Sequence, residues 1–203
     1  FNNDGMEEVA NRLEARERKG IVGINLGKNK DTEDAISDYR EGMLKLAPLA
    51  DYLVINVSSP NTPGLRSLQG RKPLQALLEA VLQARGEVVP KNPPPLLLKI
   101  APDLGDEDKS DIAQVSLETG IDGLIATNTT IERPQSLNDA NAKESGGLSG
   151  RPLLMPSTRV LFEMYKLTAG KIPLIGVGGI SSGADAYAKI RAGATLVQFY
   201  SAM

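Results

Sequence analysis

Leu96-Leu97-Leu98-Lys99-Ile100-Ala101 is an apolar run interrupted by one lysine. A run this short, with no polar alternation, reads as a strand covered on both faces, the pattern of parallel sheets. Lysine inside such a strand is costly unless its ammonium meets an anion. The ordinary explanation is an edge strand whose lysine snorkels to water. Leu96, Leu97, Leu98 and Ile100 on either side argue against an edge.

Five more runs of the same kind lie outward from this one, at residues 21–26, 52–57, 123–127, 173–177 and 195–200. Helical patterns stand between them. Leu74, Leu77, Leu78, Val81 and Leu82 repeat at i, i+3, i+4, i+7, i+8. Val160, Leu161, Met164 and Leu167 keep the same period, and Ile36, Tyr39, Met43 and Leu46 keep it more loosely. Gly86, Gly120, Gly170 and Gly193 are placed to close helices, since glycine takes the left-handed conformation freely. Strand and helix in alternation mean parallel βαβ units with right-handed crossovers. Two architectures use them: the closed (β/α)8 TIM barrel, typically about 250 residues long, and the open doubly wound sheet.

The polar residues favour the barrel. The strands end in Asn25, Asn56, Lys99, Thr127-Asn128, Gly178-Gly179 and Tyr200-Ser201. One asparagine there is an ordinary turn residue. Polar groups at every strand end, on neighbouring strands, converge on one mouth. The α/β chain is therefore expected to hold about six strand–helix units of a barrel, as one domain over residues 1–203.

Composition narrows the chemistry. The chain of 203 residues has no cysteine, histidine or tryptophan and a net charge of −2. Disulfides, thiolate nucleophiles, Cys- or His-ligated metals and Ser-His-Asp catalysis are excluded. No metal site is expected, and the near-neutral charge does not suggest nucleic acid. No apolar run approaches the ~20 residues of a membrane span. Phe1-Asn2-Asn3-Asp4-Gly5 is polar turn sequence rather than a signal peptide, and without Met it reads as the interior of a longer protein.

Two strand-to-helix connections are long, at 58–71 and 130–152, and belong on the rim where barrels keep active sites. Pro90-Lys91-Asn92-Pro93-Pro94-Pro95 precedes a strand and reads as a stiff connector on the opposite rim. Asparagine amides both donate and accept, so they suit a planar heterocycle with lactam edges. Gly176-Val177-Gly178-Gly179-Ile180-Ser181-Ser182-Gly183 opens a helix and suits a phosphate, with Gly147 to Gly150 as a second rim. Asp103, Asp106, Glu107, Asp108 and Asp111 read as a solvated first helical turn. Lys28-Asn29-Lys30 reads as surface.

Five segments together resemble the dihydroorotate dehydrogenase family: Asn56-Val57-Ser58-Ser59-Pro60-Asn61-Thr62, Lys99-Ile100-Ala101-Pro102-Asp103, Thr127-Asn128-Thr129-Thr130, Gly146-Gly147-Leu148-Ser149-Gly150 and Gly176-Val177-Gly178-Gly179. The resemblance covers essentially the whole chain in order. Serine rather than cysteine at position 59 resembles the quinone-linked, membrane-associated class. Leu65-Arg66-Ser67-Leu68-Gln69-Gly70 is more like its mitochondrial members.

The resemblance implies an FMN-binding barrel that oxidises dihydroorotate to orotate in pyrimidine biosynthesis, with ubiquinone reoxidising the flavin. Ser59 would be the base taking the C5 proton. Asn56, Asn61, Asn128 and Thr129 would hold the substrate ring, with Phe1 at its edge. Asn25, Asn56, Lys99 and Thr127 would contact the flavin ring, and Lys99 would stabilise its reduced anion. Ser149, Gly150, Gly178, Gly179, Tyr200 and Ser201 would hold the ribityl phosphate. The expected location is the mitochondrial inner membrane, or peripherally the bacterial cytoplasmic membrane. Contact with it would run through an N-terminal segment not among these residues.

Against that family the first two strands and the last helix are not among these residues, and the connector Arg16-Glu17-Arg18-Lys19-Gly20 is short. Six strands alone are not expected to close an eight-strand barrel or to work as an enzyme. Two other readings are a flavin-free barrel enzyme acting on a phosphorylated metabolite, and a non-catalytic barrel fragment.

Overall fold

Six parallel strands lie side by side in the order of the chain. The computed structural model describes residues 4–200 and 202. The strands are β1 (Gly23–Leu26), β2 (Tyr52–Asn56), β3 (Leu96–Ile100), β4 (Gly123–Ala126), β5 (Leu174–Val177) and β6 (Leu196–Gln198). Helix α1 (Met6–Ala15) precedes β1, and α2 (Ala35–Leu46), α3 (Arg71–Val88), α4 (Asp106–Thr119), α5 (Leu154–Leu167) and α6 (Gly183–Arg191) follow β1 to β5 in turn. A doubly wound sheet reverses its strand order at a switch point. Here sheet neighbours are always chain neighbours, which is the winding of a TIM barrel.

The helices form where the stripes lie. Leu74, Leu77, Leu78 and Val81 of α3 are fully buried, as are Tyr39 and Met43 of α2 and Leu161 and Met164 of α5. Asp34 caps α2 by accepting from the Ser37 N–H at 3.2 Å, and Gly120, at φ 71°, closes α4. Gly86 does not close α3, which runs on to Val88 just before the proline-rich connector. A glycine in a last turn costs only about 1 kcal/mol, and the rigid prolines end the helix instead. Leu167, at the end of α5, is exposed.

Side chains alternate across each strand. Leu53, Ile55, Leu96, Leu98, Ile100, Leu124 and Leu174 face outward into one large core with the helices. Val54, Leu97, Ile125 and Val177 face inward as a second, smaller cluster. Burial on both faces holds for β3 and β4 throughout, but β1 is alternately exposed and buried and β6 is exposed or half-buried. Those two strands flank the sheet and each has one strand neighbour among the described residues. Below the strands, Asp122 accepts from the Leu96 N–H at 2.8 Å and from Arg85 at 2.7 Å, and Arg85 also holds the Pro94 carbonyl at 2.9 Å. The proline connector is thereby fixed to the far rim. Among the described residues no helix is long and apolar enough to cross a membrane.

Tyr39 ties the helix layer to the upper end of β2. Its hydroxyl donates to the Asn56 carbonyl at 2.7 Å, and burial raises its pKa well above the usual phenol value. Tyr39→Phe removes the donor and leaves that carbonyl short of a partner. The expected loss is about 1–3 kcal/mol, read as a lower urea midpoint with an unchanged slope. An unchanged midpoint would show that the bond contributes nothing.

Candidate active site

The alternation that sends Leu96, Leu98 and Ile100 outward sends Leu97 and Lys99 inward. Lys99 is 8% exposed, and among the described residues no carboxylate pairs with it. Its ammonium stands 5.7 Å from the centre of the Tyr200 ring. Burial pushes its pKa below the usual lysine value. Lys99 borders two spaces. One is a cavity of about 710 Å³, and the other is a pocket of about 130 Å³ lined by Asn25, Tyr52, Val54 and Tyr200 among others.

Gly150, Gly178 and Gly179 stand in the wall of the large cavity. Their φ angles of 78°, 113° and 75° favour glycine. A Cβ at Gly179 would stand 2.6 Å from the Leu154 nitrogen, and one at Gly178 would stand 2.8 Å from Ser157 Oγ. The loop therefore packs bare backbone against the first turn of α5. Such exposed N–H groups beside a helix start form a cradle for an anion.

The side near the mouth is built from amides and hydroxyls. Asn128 Nδ2 donates to Asn56 Oδ1 and to Ser58 Oγ, both at 3.1 Å, and Ser58 Oγ donates to Asn56 Oδ1 at 2.9 Å. The backbone after β4 crosses between its neighbours. The Thr127 N–H donates to the Val177 carbonyl at 3.1 Å and the Asn128 N–H to that of Ile100 at 2.8 Å. Ser59 Oγ accepts from the Asn61 N–H at 3.3 Å.

The loops carrying these groups are tied together by one ion pair. Arg66 donates to Asp103 at 2.8 Å, to the Ser58 carbonyl at 3.1 Å and to the Thr129 carbonyl at 3.0 Å. Asp103 also accepts from Thr130 Oγ1 and from the Ile131 N–H. Three βα loops, after β2, β3 and β4, thus meet at a mostly buried pair. The solvated reading holds for Asp106, Glu107 and Asp108 in the first turn of α4, but not for Asp103. Asp103 precedes that helix, and the bend after β3 turns it inward to the neighbouring loops. Thr130 and Leu148 pair as an antiparallel bridge, and Arg133 holds the Glu144 and Gly146 carbonyls at 2.7 and 2.8 Å. The long 130–152 connection is therefore a braced arm rather than a slack loop.

Lys99, Thr127, Asn128, Thr129, Ser149, Gly150, Gly178, Gly179 and Tyr200 all line the large cavity. Asn25 joins Lys99 and Tyr200 in the small one. Asn56, Ser59 and Asn61 stand at the rim outside that lining, where a Cβ at Gly146 would lie 3.3 Å from Asn61 Oδ1. Phe1 and Ser201 lie outside the described residues. Sequence reasoning missed Ser58, Arg66 and Gln198. Gln198 lines both cavities, and its Oε1 is buried without a hydrogen-bond partner. Its period-two spacing from Tyr200 was the available signal.

The family model for dihydroorotate dehydrogenase matches residues 1–203. The chain is 61% identical over 203 residues to the dihydroorotate dehydrogenase (quinone) of Rhodospirillum rubrum, covering all of this chain and 55% of that protein. It is 57% identical over 211 residues to the mitochondrial dihydroorotate dehydrogenase (quinone) of Mus musculus, covering 53% of it. The chain thus spans about half the length of these relatives. An alignment of 203 positions for 203 residues leaves no loop of the Rhodospirillum protein unmatched, so the Arg16–Gly20 connector is no shorter here than there. The crystal structure of DHODH from Eimeria tenella in complex with ferulenol superposes with a TM-score of 0.93 at 47% identity. It covers all of this chain and 61% of that one.

Asp103→Ala strands the Arg66 guanidinium and two donors on the third loop. A loss of about 1–3 kcal/mol is expected. Amide hydrogen exchange at Ile131 should speed up first, because its acceptor is gone. Unchanged protection there would mean that the ion pair does not hold the arm.

Proposed function

Because this chain belongs to the dihydroorotate dehydrogenase family, we propose that it forms the flavin and substrate site of an enzyme oxidising dihydroorotate to orotate, with FMN bound and ubiquinone as electron acceptor, in pyrimidine biosynthesis. The observation that carries this reading is a buried Lys99 ammonium and a glycine cradle in the wall of one cavity. A cation and an anion cradle in one cavity suit a flat, electron-poor ring joined to a phosphate. The quinone in the names of the relatives supports the acceptor. The same names support a place on a quinone-bearing membrane, reached through a segment outside these residues.

The residues present fit the cofactor. Gly150, Gly178 and Gly179 would hold the phosphate through backbone N–H groups, with Ser149 beside them. Lys99, Thr127, Asn25 and Asn56 would border the ring, and Tyr200, also in the cavity wall, is kept for the phosphate. When bound, FMN would supply the hydride-accepting and electron-relaying chemistry that links dihydroorotate oxidation to a quinone.

The chain's own residues do the rest. Ser59 takes the C5 proton. A serine hydroxyl is essentially unionised at neutral pH, so it needs fixed orientation and a dry site. The Asn61 N–H on Ser59 Oγ and the Arg66 bond to the Ser58 carbonyl supply orientation from both sides. Asn56, Asn61, Asn128 and Thr129 read the substrate's ring edge. The bonds between Asn128, Asn56 and Ser58 fix the amides before substrate arrives, so little ordering is left to binding.

The test is reconstitution with FMN of the full-length apoprotein that contains these residues, followed by dihydroorotate without quinone. Loss of the yellow colour is expected, and persistent colour would overturn the reading. Within it, Ser59→Ala should slow bleaching by about 10²-fold or more while FMN stays bound, and Ser59→Cys should keep part of the rate. Bleaching at the normal rate in Ser59→Ala would remove Ser59 from the role.

Lys99→Met keeps the stem and removes the charge. Weaker FMN binding and a more negative flavin reduction potential are expected. If both stay as in the wild type, Lys99 does not act on the ring.

A further inference from the structure

Lys189 lies on α6 and is fully buried. A lysine ammonium only donates, and burying it without an ionic partner is costly. Its Nζ donates to Ser157 Oγ and, at 3.5 Å, to the Leu154 carbonyl, and no carboxylate pairs with it among the described residues. Asp185, one turn earlier on α6, accepts instead from Ser181 and Ser182 at 2.8–3.1 Å. Gly176 makes the burial possible, since a Cβ there would stand 3.0 Å from Lys189 Cβ. A leucine or methionine would fill the same space without desolvating a charge, so packing alone does not explain the residue.

Ser157 is the link to the cavity. Its Oγ accepts from Lys189 and has one hydrogen, with the carbonyls of Leu153 at 2.7 Å and of Leu154 and Gly178 at 3.2 Å within reach. A peptide unit is planar and trans, so its C=O and N–H point in opposite directions. Holding the Gly178 carbonyl toward Ser157 therefore turns the Gly179 N–H away from Ser157, and Gly178 and Gly179 line the cavity whereas Ser157 does not.

We propose that Lys189 is a positioning residue for the phosphate subsite: through Ser157 it orients the Gly178–Gly179 peptide, and it sets a buried positive charge behind the cradle. This rests on the reading that the cavity takes FMN. Burial lowers the Lys189 pKa to about 8, against a small opposing pull from Asp185, so most of the charge is present at neutral pH. A dianion in the cradle gains from that charge, whereas the ribityl chain and the ring do not.

The test compares two ligands on the full-length apoprotein, FMN and riboflavin, which differ by the phosphate alone, by fluorescence titration. In wild-type protein FMN should bind more tightly. Lys189→Met should weaken FMN roughly tenfold and leave riboflavin unchanged, since losing a charged partner costs this site about one decade or more. Ser157→Ala should shift the same ratio in the same direction, and it decides the matter if Lys189→Met does not fold. Equal losses for both flavins would make Lys189 a packing residue, and a variant with the wild-type ratio would overturn the role outright. Equal binding of the two flavins by the wild type would instead overturn the FMN reading itself.

Discussion

The helices take the outward-facing residues of the central strands. Leu53, Ile55, Leu98, Ile100 and Leu124 bury their side chains there in a single continuous core. Burial of this kind is worth about 1.5–3 kcal/mol per large side chain, and it fixes the register of each strand. A slip of one residue would turn Lys99 into the helix layer and Leu98 into the cavity. The apolar outer face thus decides which residues face inward, and the chemistry of the inner face depends on that choice. Val54, Leu97 and Ile125 form an apolar floor. Asn56, Lys99 and Thr127, each two residues further along its strand, stand above that floor.

Above the strands, hydrogen bonds between loops take over from packing. Arg66 and Asp103 bind the loops after β2, β3 and β4 to one another, and Gln69 accepts from the Ala101 N–H at 2.9 Å. An exposed ion pair would contribute little. This one is mostly buried, and it satisfies backbone groups as well as charges, so removing either partner leaves several groups unpaired. Short internal bonds among Asn56, Ser58 and Asn128 likewise hold amides that face the mouth.

Three buried lysines solve the burial problem in three ways. Lys109 pairs with Asp106 and Glu163, both at 2.7 Å, and is structural. Among the described residues Lys99 and Lys189 have no such acid. One faces a cavity directly, and the other stands behind its glycine wall. A charge kept without a resident counterion is costly to the folded protein, and such costs collect where a ligand supplies the missing charge.

The sequence by itself determined the six strands, their parallel winding and the helices between them. Apolar runs and i, i+3, i+4 stripes are local, and local spacing is all that secondary structure needs. It also marked Lys99, Asn128 and the Gly178–Gly179 pair, because each breaks a local pattern. Its limits were also local. Nothing in the run to Val88 marks Gly86 as an interior helical residue, and Asp103 sits in a row of acids that mostly do face water. Only the tertiary structure decided that Arg66 reaches Asp103 and Thr129, 37 and 63 positions away, and that Lys189 reaches Ser157 across 32. Such pairings depend on which loops and helices the barrel winding brings side by side. Nothing in the spacing of a lone lysine on a helix records the hydroxyl on the preceding helix.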